Sequence, residues 1–188
     1  MNTADTGFLP PRPDARQPSE EDPWARAALL VRAAQTGDAL ALNDLLDLLT
    51  PYVSRLCRPI ALADSPDAVQ ESLIAVFQGL PKLQEPRALY AWVRTITVRE
   101  AVRVARRAEH ETPVGELKDL PSVRGPELAA DVRDVLRRLS TEHRTVLVLR
   151  ELEGLDERSA GRLLNISCGT VKSRLHRARH SFRKAWAR

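Results

Sequence analysis

Several protein classes are ruled out by what this chain lacks. It has two cysteines in 188 residues, Cys57 and Cys168, and neither sits in a CxxC or Cys/His grouping. That pattern argues against a disulfide framework or a zinc site and fits a reducing cytoplasm. No apolar run approaches the ~20 residues that cross a bilayer. Acids and prolines occupy the N-terminus, where a signal peptide would carry a basic start and an apolar stretch. A soluble, intracellular protein is expected. Aromatics make up only 4% of the chain, with 8 glycines to 13 prolines, and few segments alternate apolar with polar residues. Sheets are therefore disfavoured, and an all-α protein is expected.

Acid is missing as well, but only at one end. No Asp or Glu follows Glu157, whereas Arg158, Arg162, Lys172, Arg174, Arg177, Arg179, Arg183, Lys184 and Arg188 do. The N-terminal tail leans the other way, with Asp5, Asp14, Glu20, Glu21 and Asp22 against Arg12 and Arg16. The formal net charge of +4 is thus concentrated at the C-terminus. Such a cationic end points to a polyanion, of which nucleic acid is the commonest, and the plainer alternative is a solvated helix face.

The length suits one medium domain or two small ones. Residues 1–23 carry Pro10, Pro11, Pro13, Pro18 and Pro23 among polar residues. Such a segment buries too little apolar surface to offset its ordering entropy, so a disordered tail is expected. From Trp24 the pattern turns helical, with Leu29, Leu30, Ala33 and Ala34 before a break at Thr36-Gly37-Asp38. A second helix follows through Leu42, Leu45, Leu46, Leu49, Val53 and Leu56, with Pro51 marking a kink or restart.

For the third helix, Ser65 suits the N-cap, Pro66 the first helical position and Gly79 the residue past the end. Val69, Leu73, Val76, Phe77 and Leu80 share the expected inner face, with Asp67, Gln70, Glu71 and Gln78 mainly opposite. A polar loop spans Pro81 to Arg87. A helix from Ala88 to Arg107 then turns Leu89, Trp92, Val93, Ile96 and Val102 inward and Arg99, Arg103, Arg106 and Arg107 outward. Residues 108–126 lose periodicity, hold Pro113, Gly115, Pro121, Gly125 and Pro126, and are acidic. They read as a flexible acidic linker between a domain at 24–107 and a second at 127–188.

The most informative stretch runs from Leu155 to Leu175. Asp156 suits the cap of a short helix with Ala160, Leu163 and Leu164 inward, and Gly161 leaves room for a second helix to cross closely. Asn165 suits a left-handed turn residue, Ile166 plugs the corner, and Ser167 caps the next helix. Val171, Leu175 and Phe182 bury that helix, leaving Lys172, Ser173, His176, Arg177 and His180 outside. This is a helix-turn-helix: an α-helix fits the major groove, and Arg or Lys reaches guanine acceptors. Thr170 and the amides at the helix start suit phosphates. Arg174, Arg179, Arg183 and Lys184 point at flanking backbone or solvent, adding affinity without sequence information. The alternative is a plain helical hairpin with a basic exterior.

Two smaller constellations carry less. His176 and His180 are spaced i, i+4 but lack a third metal ligand nearby, so neither a metal nor another cofactor is expected. Asp67 and Glu71 share a helix face, yet nothing beside them resembles a nucleophile, so a partner-facing acidic patch is the better reading.

The run Val146 to Arg179, with Leu-Arg-Glu-Leu-Glu-Gly-Leu and Gly-Thr-Val-Lys-Ser-Arg-Leu-His-Arg-Ala-Arg, resembles region 4 of sigma-70-type factors. The nearest group is the extracytoplasmic-function (ECF) sigma factors. Asp67-Ala-Val-Gln-Glu-Ser-Leu-Ile-Ala-Val-Phe resembles their region 2 helix, and Ala91-Trp-Val-Arg-Thr-Ile begins a segment like their next helix. The resemblance implies two small helical domains, a region 2-like one and a region 4-like helix-turn-helix. It also implies a sigma factor that binds core RNA polymerase and directs promoter recognition and transcription initiation. By resemblance, Asp67, Gln70 and Glu71 dock on a coiled coil of the polymerase β′ subunit. The loop Lys82 to Arg87 and the helix through Trp92, Arg94, Arg99 and Arg103 capture the −10 element. Thr170, Lys172, Ser173, Arg174 and Arg177 bind the −35 element. The acidic linker resembles a segment that threads the polymerase's RNA path. The β subunit, promoter DNA and an anti-sigma factor complete the implied partners, with no membrane and no enzymatic role. The sequence departs from the family with Arg99 and Arg103 where Asn and Asp are usual. Ser159, Gly161 and Asn165 likewise stand in place of Glu, Ala and Gly.

Two other readings compete. A stand-alone regulator would bind an operator and keep doing so when the Asp67/Gln70/Glu71 face is neutralised, whereas a sigma factor would lose polymerase. An enzyme acting on nucleic acid would need a metal cluster, phosphate loop or activated nucleophile, none of which the sequence offers.

Overall fold

The computed structural model describes residues 23–111 and 127–187. Every regular element among them is helical. The expected proline-rich tail lies almost wholly outside the described residues, as does the linker apart from its first four positions.

The first unit is built from α1 (Pro23–Gln35), α2 (Ala39–Ala61), α3 (Ser65–Gly79) and α4 (Leu89–Glu111). The break after α1 is where the sequence places it. Gly37 takes φ +96°, and Asp38 caps α2 by accepting from the Leu40 and Ala41 amides at 2.9 and 3.0 Å. Pro51 does not restart α2, which runs through both Pro51 and Pro59 as one helix. Leu45, Leu49, Val53, Leu56 and Ile60 bury one stripe along its whole length, and that packing outweighs the lost backbone bonds.

α3 is rotated from the expected setting. Its buried stripe is Ala68, Ser72 and Val76, with Leu80 just beyond. Val69 and Leu73 are half-buried, and Phe77 is 51% exposed. The helix is wedged between α2 and α4, and the small Ala68 and Ser72 allow that approach where larger residues would not. Ser72 Oγ is satisfied by the Ala68 carbonyl at 2.6 Å. Nor does Ser65 cap α3: it is the first helical residue, and Asp64 precedes it with no side-chain cap bond. Gly79 has φ −87° and ψ −16°, which any residue adopts, so its small size rather than its backbone freedom is what matters there. The expected polar loop contains two short 3₁₀ turns, Leu80–Lys82 and Pro86–Ala88, with Leu83 and Pro86 buried. α4 buries Leu89, Val93, Val98, Ala101, Val104 and Ala105, and it continues to Glu111, past the expected end at Arg107.

The second unit comprises α5 (Glu127–Arg137), α6 (Thr141–Leu147), α7 (Glu157–Leu164) and α8 (Cys168–Trp186). α6 runs into a single π turn at Val148–Leu152, closed by the Glu153 amide bonding the Val148 carbonyl at 3.0 Å. Gly154, at φ +61°, then turns the chain toward α7. The two units do not stand apart as a loose tether would leave them. α6 packs on both α2 and α4.

Candidate nucleic-acid interface

The helix-turn-helix is assembled as its local chemistry dictates. Asp156 accepts the Ser159 amide at 2.7 Å and starts α7. Asn165 takes φ +54°, ψ +46°, the left-handed conformation that ends it. Ser167 Oγ accepts the Thr170 amide at 3.0 Å and starts α8. Gly161 is buried at the crossing: a β-carbon there would lie 2.8 Å from the Ile166 carbonyl oxygen and 3.6 Å from Val171 Cγ2. Val171, Leu175 and Ala178 bury the inner face of α8, while Ile166 and Phe182 pack half-buried against the same core. The outer face is open, with Lys172, Ser173, His176, Arg177 and His180 all exposed. Arg177 Nε donates to the Ser173 carbonyl at 3.3 Å.

Two neighbours on α8 behave differently from expectation. Arg174 is half-buried on the wall of a cleft facing α4 rather than turned to solvent. Arg179 is held by Glu151 through Nε at 3.0 Å and Nη2 at 2.7 Å. Thr170 Oγ1 shares a 2.8 Å hydrogen bond with Ser167 Oγ. Among the described residues no group of three or more His, Cys, Asp or Glu is placed to hold a metal. Cys168 is exposed at the start of α8, whereas Cys57 is buried and its thiol is pushed up to about 11 by desolvation.

On α3, Asp67 and Gln70 are exposed and Glu71 is half-exposed. Beside them lies an apolar groove of about 430 Å³ lined by Leu46, Pro66, Val69, Leu73, Ile74 and Phe77. The sequence gives the acids but hides this groove, because Phe77 fits an inner-face period that α3 does not follow. Glu71 also pairs with Arg103 at 3.1 Å, and Glu100 holds the same guanidinium at 2.7 Å. One expected partner-facing acid is thereby joined to one expected DNA-facing cation. Along α4, Arg99 and Arg103 are exposed. Trp92 is half-buried over Gly79. Arg94 is directed at Glu153 of the second unit, 3.6 Å away, with its Nε buried and unpartnered.

Comparison with known proteins agrees with this geometry. The profile described as Sigma-70 region 2 matches residues 42–111, and that described as Sigma-70, region 4 matches residues 129–181. The ECF RNA polymerase sigma-E factor of Haemophilus influenzae is 31% identical over 176 residues, covering 80% of this chain and 89% of that protein. The protein of the same name from Escherichia coli strain K12 is 30% identical over 172 residues, covering 81% and 90%. Among solved structures, the sigma factor RpoE of Bartonella quintana, in complex with the anti-sigma factor NepR, superposes with a TM-score of 0.60 at 22% identity. It covers 76% of this chain and 94% of that one. CnrH, in complex with the cytosolic domain of CnrY, gives 0.56 at 24% identity, covering 85% and 96%. With both regions matched in order and relatives aligned over most of their length, the chain belongs to the sigma-70 family of RNA polymerase sigma factors, in its extracytoplasmic-function group.

Proposed function

We propose that this sigma factor divides promoter recognition between two surfaces on its two units and docks on core RNA polymerase through a third. The observation that carries the reading is the outer face of α8. Lys172, Ser173 and Arg177 are exposed together on a helix whose start, turn and crossing are all fixed by local contacts. That is the presentation a helix needs to enter the major groove and read the −35 element. Thr170 and Arg174 flank this face and supply phosphate contacts.

The −10 element falls to the region 2 unit. Exposed Arg99 and Arg103 supply charge for the separated strand, and Trp92, on the same helix, supplies a flat ring. Arg94, on the same helix, completes this set, and in the structure it lies 3.6 Å from Glu153. Asp67, Gln70 and Glu71 form the polar rim of the polymerase-docking face. The apolar groove from Leu46 to Phe77 forms its centre, as the core-and-rim anatomy of protein interfaces requires. On this reading the region 2 module spans 24–107, the region 4 module spans 127–188, and 108–126 connects them.

The subunit itself makes and breaks no bond; polymerase does the chemistry. No described helix is long and apolar enough to cross a membrane, and the proposed place of work is the cytoplasm. The complex of the similar sigma factor RpoE with the anti-sigma factor NepR supports an anti-sigma protein as a partner of this chain as well. Two weak modules gain avidity only when polymerase fixes their spacing, so free protein binds promoter duplex weakly. Run-off transcription with core polymerase and a promoter library tests the whole reading. Specific initiation is expected, and it is lost when Asp67, Gln70 and Glu71 are neutralised. Tight operator-like binding without polymerase would overturn it.

A further inference from the structure

α1 ends on a polar residue where its own period calls for an apolar one. Ala27 and Val31 bury one face of the helix, and Gln35 follows at the same four-residue spacing on that face. It stands exposed at the rim of the core, and its side chain reaches the connection between α3 and α4. Gln35 Nε2 donates to the Leu80 carbonyl at 2.9 Å and to the Leu83 carbonyl at 2.8 Å. A side-chain amide nitrogen carries two hydrogens, and here each meets one carbonyl of the same turn. The Leu80 carbonyl also accepts the Leu83 amide at 3.1 Å, so the turn is closed from within and clamped from α1. Gln35 is itself held in place. Gly37 at φ +96° stops the helix, and the Gly37 and Asp38 amides return to the Ala34 and Ala33 carbonyls, each at 3.1 Å.

The clamped stretch needs a donor from outside. Pro81 and Pro86 bring no amide to it, and the backbone is extended at Leu83 and again at Glu85. Leu80, Leu83, Pro86 and Leu89 are buried at a spacing of three, the repeat of a 3₁₀ helix. Between them Lys82, Gln84, Glu85 and Arg87 are exposed. Glu85 is engaged locally, accepting the Arg87 amide at 3.1 Å. Lys82 and Gln84 flank Leu83, whose carbonyl Gln35 holds. A cation and an amide are thus displayed on a backbone whose shape is set from another helix. Their chemistry suits a separated strand: lysine meets phosphate, and an amide offers both a donor and an acceptor to the edge of an unstacked base. The stretch runs directly into α4, which carries Trp92, Arg99 and Arg103.

We propose that Gln35 is a positioning residue for −10 recognition. It touches no DNA itself; it holds the turn from Leu80 to Leu83 so that Lys82 and Gln84 meet the separated strand in one fixed arrangement. Gln84 then supplies base preference and Lys82 supplies affinity. A stretch held before the strand arrives loses less freedom on binding. Packing alone does not call for the amide, since methionine at this position would match its length and continue the apolar face. The inference rests on the reading of the region 2 unit as the −10 surface.

The test uses the full chain with core polymerase on a promoter selected by run-off transcription, each −10 base pair being substituted in turn. Gln35→Met removes both donors at equal length, Gln35→Glu removes them and keeps the planar shape, and Gln35→Lys restores donors. The two donor-free variants are expected to lose about fivefold in discrimination at a −10 position, the size of effect that a lost hydrogen bond gives. Core association and −35 discrimination should stay as in the parent, and Gln35→Lys should recover part of the loss. Hydrogen exchange over residues 80–88 reads the clamp without DNA: faster in the donor-free variants, closer to the parent in Gln35→Lys. Parent-like −10 discrimination in either donor-free variant, once shown to be folded, would overturn the positioning role. So would equal losses at −10 and −35 positions. Gln84→Ala separates the two levels. If it leaves −10 discrimination intact, the −10 reading of this stretch fails and the proposal falls with it. If it flattens discrimination while the folded donor-free variants do not, the clamp alone is wrong.

Discussion

Gly79 lies directly beneath the indole of Trp92: a β-carbon at position 79 would come within 2.8 Å of Trp92 Cζ2. The end of α3 thereby sets the height of the one aromatic ring on the proposed −10 surface. Gly79→Ala gains up to ~1 kcal/mol of helix propensity, yet it must displace a rigid ring, which typically costs ~1–3 kcal/mol. A net loss of stability in urea unfolding is expected, with a shift in tryptophan emission. An unperturbed or stabilised variant would contradict the packing described here.

Gly161 and Gly169 form an internal control within the helix-turn-helix. A methyl at 161 meets the Ile166 carbonyl at 2.8 Å, which is backbone and has nowhere to retreat, whereas at 169 the nearest atom is Ser167 Oγ at 3.8 Å. Gly161→Ala is expected to destabilise by ~1–3 kcal/mol and to weaken −35 recognition. Gly169→Ala should be neutral or stabilising by up to ~1 kcal/mol, since alanine is the better helix former. Denaturant midpoints of the two variants decide.

Acid should loosen the start of α7. The Ser159 amide, with its hydroxyl, holds the Asp156 carboxyl below the usual carboxylate range. A depressed acid contributes stability above its unfolded value, near pH 4, and loses it as pH falls through the folded value. The advantage of the parent over Asp156→Asn should therefore be full at neutral pH and fade below pH ~4. Urea midpoints of the pair measured against pH check this, and a constant difference would remove the charged cap from the account.

Arg177 is the strongest candidate for a base contact, because it is exposed in mid-helix and its guanidinium meets no carboxylate among the described residues. Arg177→Ala is expected to cost ~1–3 kcal/mol in promoter binding and to relax preference at one −35 position. Binding of the holoenzyme to a panel of mutated −35 sites reads this out. A uniform loss across the panel would reassign Arg177 to a phosphate.

The parts of the molecule governed by neighbours in the sequence were the legible ones. Asp156, Gly161, Asn165 and Ser167 act within a few residues of themselves, so their types announce caps, a crossing and a left-handed turn before any fold is known. α3 misleads because its buried stripe contains Ala68 and Ser72, which a search for large apolar residues passes over, while Phe77 and Ile74 face outward. The contact between the two units is hidden for a different reason. Glu153 and Arg144 are charged and would be placed on the surface by type alone, yet their side chains are 4% and 6% exposed. Only the π turn and the approach of α6 to α2 bury them, and no local pattern encodes either.

The most direct test of the account is association of the purified full chain with core RNA polymerase at low salt, followed by size-exclusion chromatography. Co-elution is predicted, and it should be lost when Asp67, Gln70 and Glu71 are neutralised together while the chain stays folded. A folded chain that elutes apart from core enzyme would contradict the assignment of these surfaces.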